Sequence, residues 1–324
     1  MARLRTPRIP TDADDVVVRA DGKDVHLTNL QKPYWPERGH TKGDLLRYYE
    51  RIADVLLPHV RDRPMVMKRY PHGWAGKFFF MKRTPAYKPE WLRTCRVEHR
   101  SGNVIDFPVI DDVASLLWVI NLGCIDLNPW YSRCDDVHRP DFLHFDLDPV
   151  PGAPFRTVRE VALRVRELLE GLGMPVFAKT TGSKGMHLYV PIVRGPTQKQ
   201  VWTFAKAFGL EVERRHPELA TSIYEVAARP KGRVLVDYNQ NRWGSTLASV
   251  YSVRPKLEAS VSTPVTWAEV ERGIEIADFT LANVPDRVEA RGDLWCPPTG
   301  GARYDLAPLL GAAARFLPPG DVAR

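Results

Sequence analysis

The chain has 324 residues, is 44% hydrophobic and 26% charged, and carries a net charge of +7, a composition that fits a globular protein with a real core and excludes disordered and collagen-like chains. No apolar run reaches the length of a membrane span and the start, Met1 to Pro7, lacks the apolar core of a secretory signal, so no membrane role and a cytoplasmic location are expected. The 28 prolines predict many fixed turns, and the four cysteines, Cys95, Cys124, Cys134 and Cys296, lack metal-site spacing and are expected to be reduced.

In chain order, residues 1–25 read as a polar, irregular leader, and density begins at Leu27-Thr-Asn-Leu30. Thr41 with Asp44 three residues later marks a helix start, with the helix running to about Leu57-Pro58. Pro64–Tyr70 reads as a strand, Pro71–Gly76 as a turn and Lys77–Lys82 as the hairpin partner. Phe78-Phe-Phe80 must place at least one ring on each face of that strand. An outward ring is a stacking platform for a base, although core packing is the ordinary use of each. Between Lys32 and Arg100 there are 16 Lys and Arg against 7 Asp and Glu, an excess that points to a polyanionic partner.

The second half is rhythmic. Phe142–Asp148 reads as a strand, Arg156–Leu172 as a helix with an apolar stripe, and Pro175–Thr180 and Met186–Val193 as strands. A helix from Thr197 to about Arg215 and a strand Arg233–Tyr238 complete the series. Strand–helix–strand–strand–helix–strand is the order of a ferredoxin-like or RNA-recognition-like antiparallel sheet.

The chemistry concentrates at three places. Phe142-Leu-His-Phe-Asp-Leu-Asp-Pro149 puts Asp146 and Asp148 on one strand face, where like charges repel unless a hard divalent cation joins them. Asp237 ends a strand able to neighbour theirs, and three carboxylates suit two metal ions. The loop Lys179-Thr-Thr-Gly-Ser-Lys-Gly-Met-His187 offers the Thr181 and Ser183 hydroxyls, the Lys184 charge and the His187 ring to phosphates, with Gly182 and Gly185 allowing close backbone approach. Gln240 and Asn241 suit the polar edges of a sugar or base, and Arg254 suits a triphosphate.

Phe145-Asp-Leu-Asp-Pro149, Thr181-Gly-Ser-Lys-Gly-Met-His187 and Val236-Asp-Tyr-Asn-Gln-Asn241 resemble the three motifs of the archaeo-eukaryotic primase superfamily, and in particular the polymerase module of bacterial ligase D. The resemblance runs from Leu27-Thr-Asn-Leu30 through Lys68-Arg-Tyr-Pro71 and Tyr251-Ser-Val-Arg254 to about Trp295. It implies an α/β (α+β) primase-polymerase fold with an RNA-recognition-like catalytic sheet and a packed N-terminal α/β lobe. The expected division is a leader 1–25, a two-lobed domain 26–298 (DNA-end-binding 26–140, catalytic 141–298) and a tail 299–324, standing alone without ligase or nuclease domains.

By the same resemblance, Asp146, Asp148 and Asp237 are catalytic and bind two Mn²⁺ or Mg²⁺ ions. Lys68, Thr181, Ser183, Lys184, His187, Gln240 and Arg254 contact the nucleotide. Asn29, Lys32 and Lys42 hold a 5′-phosphate on DNA, and Phe79 or Phe80 stacks on the template. Two positions depart from the family pattern: Asn128 stands where it usually has His before Pro-Trp, and Thr181 where it often has Ser. The implied activity is template-dependent nucleotidyl transfer for gap filling and end extension in DNA repair, with ribonucleotides accepted and priming within reach. Implied partners are NTP or dNTP, duplex DNA with gaps, overhangs or 5′-phosphorylated ends, a separate ATP-dependent DNA ligase and an end-binding protein. The chain is expected to act as a monomer near the bacterial nucleoid. The alternatives from other classes are a non-catalytic DNA-end binder and a metal-dependent phosphoesterase.

Overall fold

A computed structural model describes residues 4–99, 101–295 and 301–315. The chain forms two compact units: Met1–Trp130 with Thr246–Thr263 and Ala277–Leu294, and Tyr131–Ser245 with Pro264–Ile276 and Trp295–Arg324. Cys296, the expected domain end at 298 and residues 316–324 of the expected tail lie outside the described residues.

The first unit corrects the expected irregular leader. Strands β1 (Val16–Ala20) and β2 (Lys23–Leu27) form an antiparallel hairpin. It turns at Asp21 and Gly22, both with positive φ, the backbone a two-residue hairpin loop requires. Val18, Ala20, Val25 and Leu27 are buried while their neighbours are not, so the alternation that makes a half-buried strand was present in the polar stretch. Helix α1 (Lys42–Arg51) opens with the expected capping box, Thr41 and Asp44 each bonding the other's backbone. It stops at Ile52, and a separate helix α2 (Ala53–Val60) continues. Strand β3 (Met65–Arg69) pairs with β4 (Phe79–Met81) as the hairpin reading requires. A second hairpin, β5 (Thr94–Glu98) with β6 (Val104–Pro108), precedes helix α3 (Val113–Asn121) and strand β7 (Cys124–Pro129), which pairs with the other edge of β3.

The second unit is built on strand β8 (Phe142–Pro149). Helix α4 (Phe155–Gly171), strands β9 (Phe177–Thr180) and β10 (Met186–Pro191), helix α5 (Gln198–Arg215), and strands β11 (Ala220–Thr221), β12 (Val234–Asp237) and β13 (Pro264–Val265) follow. The strand order is β11-β12-β8-β10-β9-β13, and the four main strands are antiparallel throughout, as the ferredoxin-like order predicts. Val158, Val161, Ala162, Val165 and Leu169 bury one face of α4, at the spacing a helix needs to cover a sheet. The described part of the expected tail, residues 301–315, belongs to this unit, because helix α6 (Ala307–Arg315) packs on α5.

Candidate active site

In the second unit, sheet register assembles one row of chemistry. Asp146 on the central strand β8 lies opposite Asp237 of β12 on one side and opposite His187 of β10 on the other, and His187 lies opposite Lys179 of β9. Residues opposite one another share a face, so Asp237, Asp146, His187 and Lys179 run side by side across four strands. Both carboxylates are buried, Asp146 at 7% and Asp237 at 5% exposure. Burial first, and the Asp146 charge second, push the Asp237 carboxyl above the ordinary carboxylate range. Asp237 accepts hydrogen bonds from the Asn239 amide (2.7 Å), the Gln240 side-chain amide (3.1 Å) and the Tyr224 hydroxyl, which lies 3.2 Å from both oxygens. Asp148, two residues beyond Asp146 on the same face, is exposed. Among the described residues, no three His, Cys, Asp or Glu side chains converge as a ready-made metal cage. The row supplies two facing carboxylates, with the third beside them and turned out.

His187 lies inside the row. The ring offered to a phosphate is 2% exposed, with Lys179 Nζ 2.6 Å from Nδ1 and Asp146 Oδ1 3.2 Å from Nε2. With an ammonium on Nδ1, the imidazole proton belongs on Nε2, facing the carboxylate. The ring therefore orders the row. His144, one step inward on the same strand face, stacks on Tyr131 at 3.7 Å, and burial pushes its pKa down to about 3, so it stays neutral.

The loop between β9 and β10 is self-organised. Thr181 Oγ1 accepts from the backbone amides of Ser183 (3.0 Å), Lys184 (3.2 Å) and Gly185 (3.1 Å). These amides point at a hydroxyl inside the loop, which leaves side chains to face outward, with Ser183 half-buried and Lys184 exposed. Gly185 has a steric reason to be glycine: a Cβ there would sit 2.0 Å from the Leu147 carbonyl oxygen. The loop is thereby pressed against the strand that carries Asp146. Gln240, read as a sugar or base contact, donates to Asp237, and Asn241 donates to the His144 carbonyl at 2.7 Å.

The first unit gathers the other expected residues into two groups. Lys68 on β3 lies opposite Asp126 on β7, with Nζ 3.5 Å from the carboxylate, and the Arg254 Nε lies 2.7 Å from the other oxygen of Asp126. Asp126 is 1% exposed. One buried anion thus spaces two cations, leaving the trio net positive. Lys68 Nζ sits 4.3 Å from the centre of the Phe78 ring and 5.9 Å from that of Phe80, in cation–π range. All three phenylalanines are exposed, Phe80 at 59%, which overturns core packing as their use. Register separates them: Phe80 is opposite Lys68, and Phe79 is opposite Arg69 on the other face, with the Arg69 guanidinium 5.1 Å from its ring. Phe79 and Phe80 therefore offer stacking platforms on opposite sides.

The second group is the loop before α1. Asn29 adopts φ 55° with its amide bonded to Asp15, and Lys32 and Lys42 flank the turn that leads into the helix. Lys42 is 5% exposed, and burial, then the Lys32 charge, lower its pKa to about 8. Asn128 spends its side-chain amide on the Asp126 carbonyl at 3.1 Å.

Three participants were not singled out from the sequence. Asp126 carried a signal, since a lone charge inside the apolar run Cys124–Leu127 demands a buried partner. Lys179 and Tyr224 carried none, because their partners lie across the sheet.

Comparison with known proteins follows the same lines. A family model described as the LigD primase-polymerase domain matches residues 41–295. The multifunctional non-homologous end joining protein LigD of Mycolicibacterium smegmatis is 32% identical over 275 residues, covering 84% of this chain and 36% of the relative. LigD of Pseudomonas aeruginosa, with the same description, is 30% identical over 284 residues, covering 87% of this chain and 34% of the relative. The chain thus spans about a third of the length of these relatives. Among solved structures, the polymerase domain from Mycobacterium tuberculosis ligase D, in complex with DNA, matches with a TM-score of 0.78 and 32% identity, covering 83% of this chain and 96% of that one.

Proposed function

The chain belongs to the LigD primase-polymerase domain family, and from that membership we propose that it is a template-dependent nucleotidyltransferase that fills gaps and extends DNA ends in end-joining repair. The observation that carries the proposal is the register row, in which Asp146 and Asp237 face each other beside the Thr181–His187 loop. Ordinary folding offers no reason to bury two carboxylates face to face. A site for divalent cations does.

The donor set fits such ions. Asp146 and Asp237 present hard oxygen ligands, the Asp237 carboxyl is raised by burial and then by its neighbour, and Asp148 supplies further oxygens on the same face. These three would hold Mg²⁺ or Mn²⁺, which would supply Lewis-acid stabilisation of phosphoryl oxygens. The chain's own residues then divide the remaining work. His187, backed by Lys179, holds Asp146 in place. Ser183 and Lys184 meet the triphosphate, and Lys68 and Arg254 are proposed as further contacts of the nucleotide. Asp237 is oriented by Asn239, Gln240 and Tyr224. On the DNA, Asn29, Lys32 and Lys42 hold the 5′-phosphate of the downstream strand, and Phe79 or Phe80 stacks on a template base. The proposal extends to ribonucleotides as substrates, a preference for Mn²⁺, and work beside a DNA ligase and an end-binding protein.

The test is incorporation on a gapped, 5′-phosphorylated duplex with NTP or dNTP and Mg²⁺ or Mn²⁺. The wild-type protein is expected to add templated nucleotides and Asp148→Ala to add essentially none. Equal extension by Asp148→Ala removes the metal assignment. Tight, salt-sensitive binding with no addition under any metal makes the protein an end-binder, and degradation without addition makes it a phosphoesterase.

A further inference from the structure

We propose that Asn121 is a positioning residue of the DNA-end site, aiming the Lys42 ammonium and the Thr28–Asn29 backbone at a 5′-phosphate. The inference rests on the reading that Asn29, Lys32 and Lys42 form that site. It adds a residue with no charge and no place in any of the motifs.

Asn121 is the last residue of α3, and its side chain ties two segments together. Its Oδ1 accepts from the Lys42 ammonium at 2.7 Å and from the Thr28 amide at 3.0 Å, and its Nδ2 donates to the His26 carbonyl at 3.1 Å. One side chain therefore fixes the strand end that leads to Asn29 and the amine that begins α1. Lys42 makes a second bond, to the Thr28 carbonyl at 2.6 Å. An ammonium has three N–H donors, so these two acceptors fix its rotation and direct the remaining hydrogen.

The surrounding loop is built to the same end. The Lys42 and Gly43 amides bond the carbonyls of Lys32 (2.9 Å) and Leu30 (2.8 Å). The Asp14 and Asp15 carboxylates accept from the amides of Gln31 (2.9 Å) and Asn29 (3.1 Å). The charges that act on Lys42 are Lys32 and Arg69, which disfavour its proton, and Asp14 and Asp15, which favour it. Asn121 adds a neutral acceptor that orients the ammonium without changing the charge of the site. The lysine stays charged enough to meet a phosphate, and it is held rather than swinging on a flexible stem. Burial and the Lys32 charge lower the Lys42 pKa to about 8, so a carboxylate placed at position 121 would raise it and report on the contact.

The experiment measures binding, by fluorescence anisotropy, to gapped duplexes whose downstream strand ends in a 5′-phosphate or a 5′-hydroxyl. Asn121→Leu keeps the size of the side chain and removes its polar groups, and is expected to cut the 5′-phosphate preference about tenfold, the worth of one charge-assisted hydrogen bond. Lys42→Met should cut it at least as far. Loss in Lys42→Met with full preference in Asn121→Leu overturns the inference alone, while full preference in both overturns the reading of the site. If Asn121→Leu fails to fold, Asn121→Asp decides. It keeps the acceptor and puts a charge beside Lys42, so the preference should persist to higher pH than in the wild-type protein. An unmoved pH profile would show that Asn121 is scaffold only.

Discussion

The two units handle carboxylates in opposite ways. In the second, Asp146 and Asp237 face each other across a strand pair, and the carboxyl of Asp237 is pushed up first by burial and then by its neighbour. In the first, the buried Asp126 is matched on both oxygens, by Lys68 and by Arg254. The matched anion spaces the cations around it. The crowded pair has neutral donors and an imidazole around it, and under the proposed function a divalent ion would supply the positive charge. The contrast sets an aspartate that positions cations apart from a pair proposed to hold them, although each is a buried aspartate in a strand.

Four measurements bear on that contrast, beginning with the largest effect. Asp146→Ala should lower the rate of nucleotide addition on the order of 10³-fold, the equivalent of about 4 kcal/mol of transition-state stabilisation; a loss below tenfold would make the crowded pair structural. Asp126→Ala leaves two partly buried cations unmatched, and should lower folding stability by about 3–5 kcal/mol in urea titrations. A smaller cost, with nucleotide affinity intact, would mean that Lys68 and Arg254 do not depend on their shared anion. Phe79→Ala and Phe80→Ala probe opposite faces of one hairpin, so only one should weaken binding to a template overhang, by about 1–3 kcal/mol. Equal losses would deny that register selects the stacking ring.

The smallest effect concerns Asp237→Asn without divalent cations. A carboxyl whose folded pKa lies above its unfolded value stabilises the fold at low pH, and that contribution disappears as the pH rises through the folded value. Near neutrality the variant should therefore melt higher than the parent, by about 2–4 °C if the relief is about 1 kcal/mol. The gap should close in acid, where Asp237 itself is neutral. A lower melting temperature would show that the bonds from Tyr224, Asn239 and Gln240 outweigh the repulsion.

The sheet of the second unit was legible because its signals are local: apolar alternation in Phe142–Leu147, a helical stripe from Val158 to Leu169, and turn residues between them. Asp146, Asp148 and Asp237 stood out as carboxylates at strand ends. The hairpin Val16–Leu27 was missed because its polar face dominated the composition, although Asp21-Gly22 marked the turn. The partners of His187 and Gln240 were hidden for another reason. Each was visible as a polar side chain, but its partner is set by register, and register is a property of strands that meet after the chain has folded. The same holds for Lys179 with His187 and for Asn121 with Lys42, which sit in segments far apart in sequence or on neighbouring strands.

The row Asp237–Asp146–His187–Lys179 has a consequence for how this protein tolerates change. Three strand pairings must be in register at once, and a slip of one residue in any of them turns a member of the row to the opposite face. An insertion or deletion within β8, β9, β10 or β12 therefore abolishes the site outright rather than degrading it. Length variation is confined to the connections, and enzymatic activity becomes an all-or-none reporter that the sheet has formed with its native pairing.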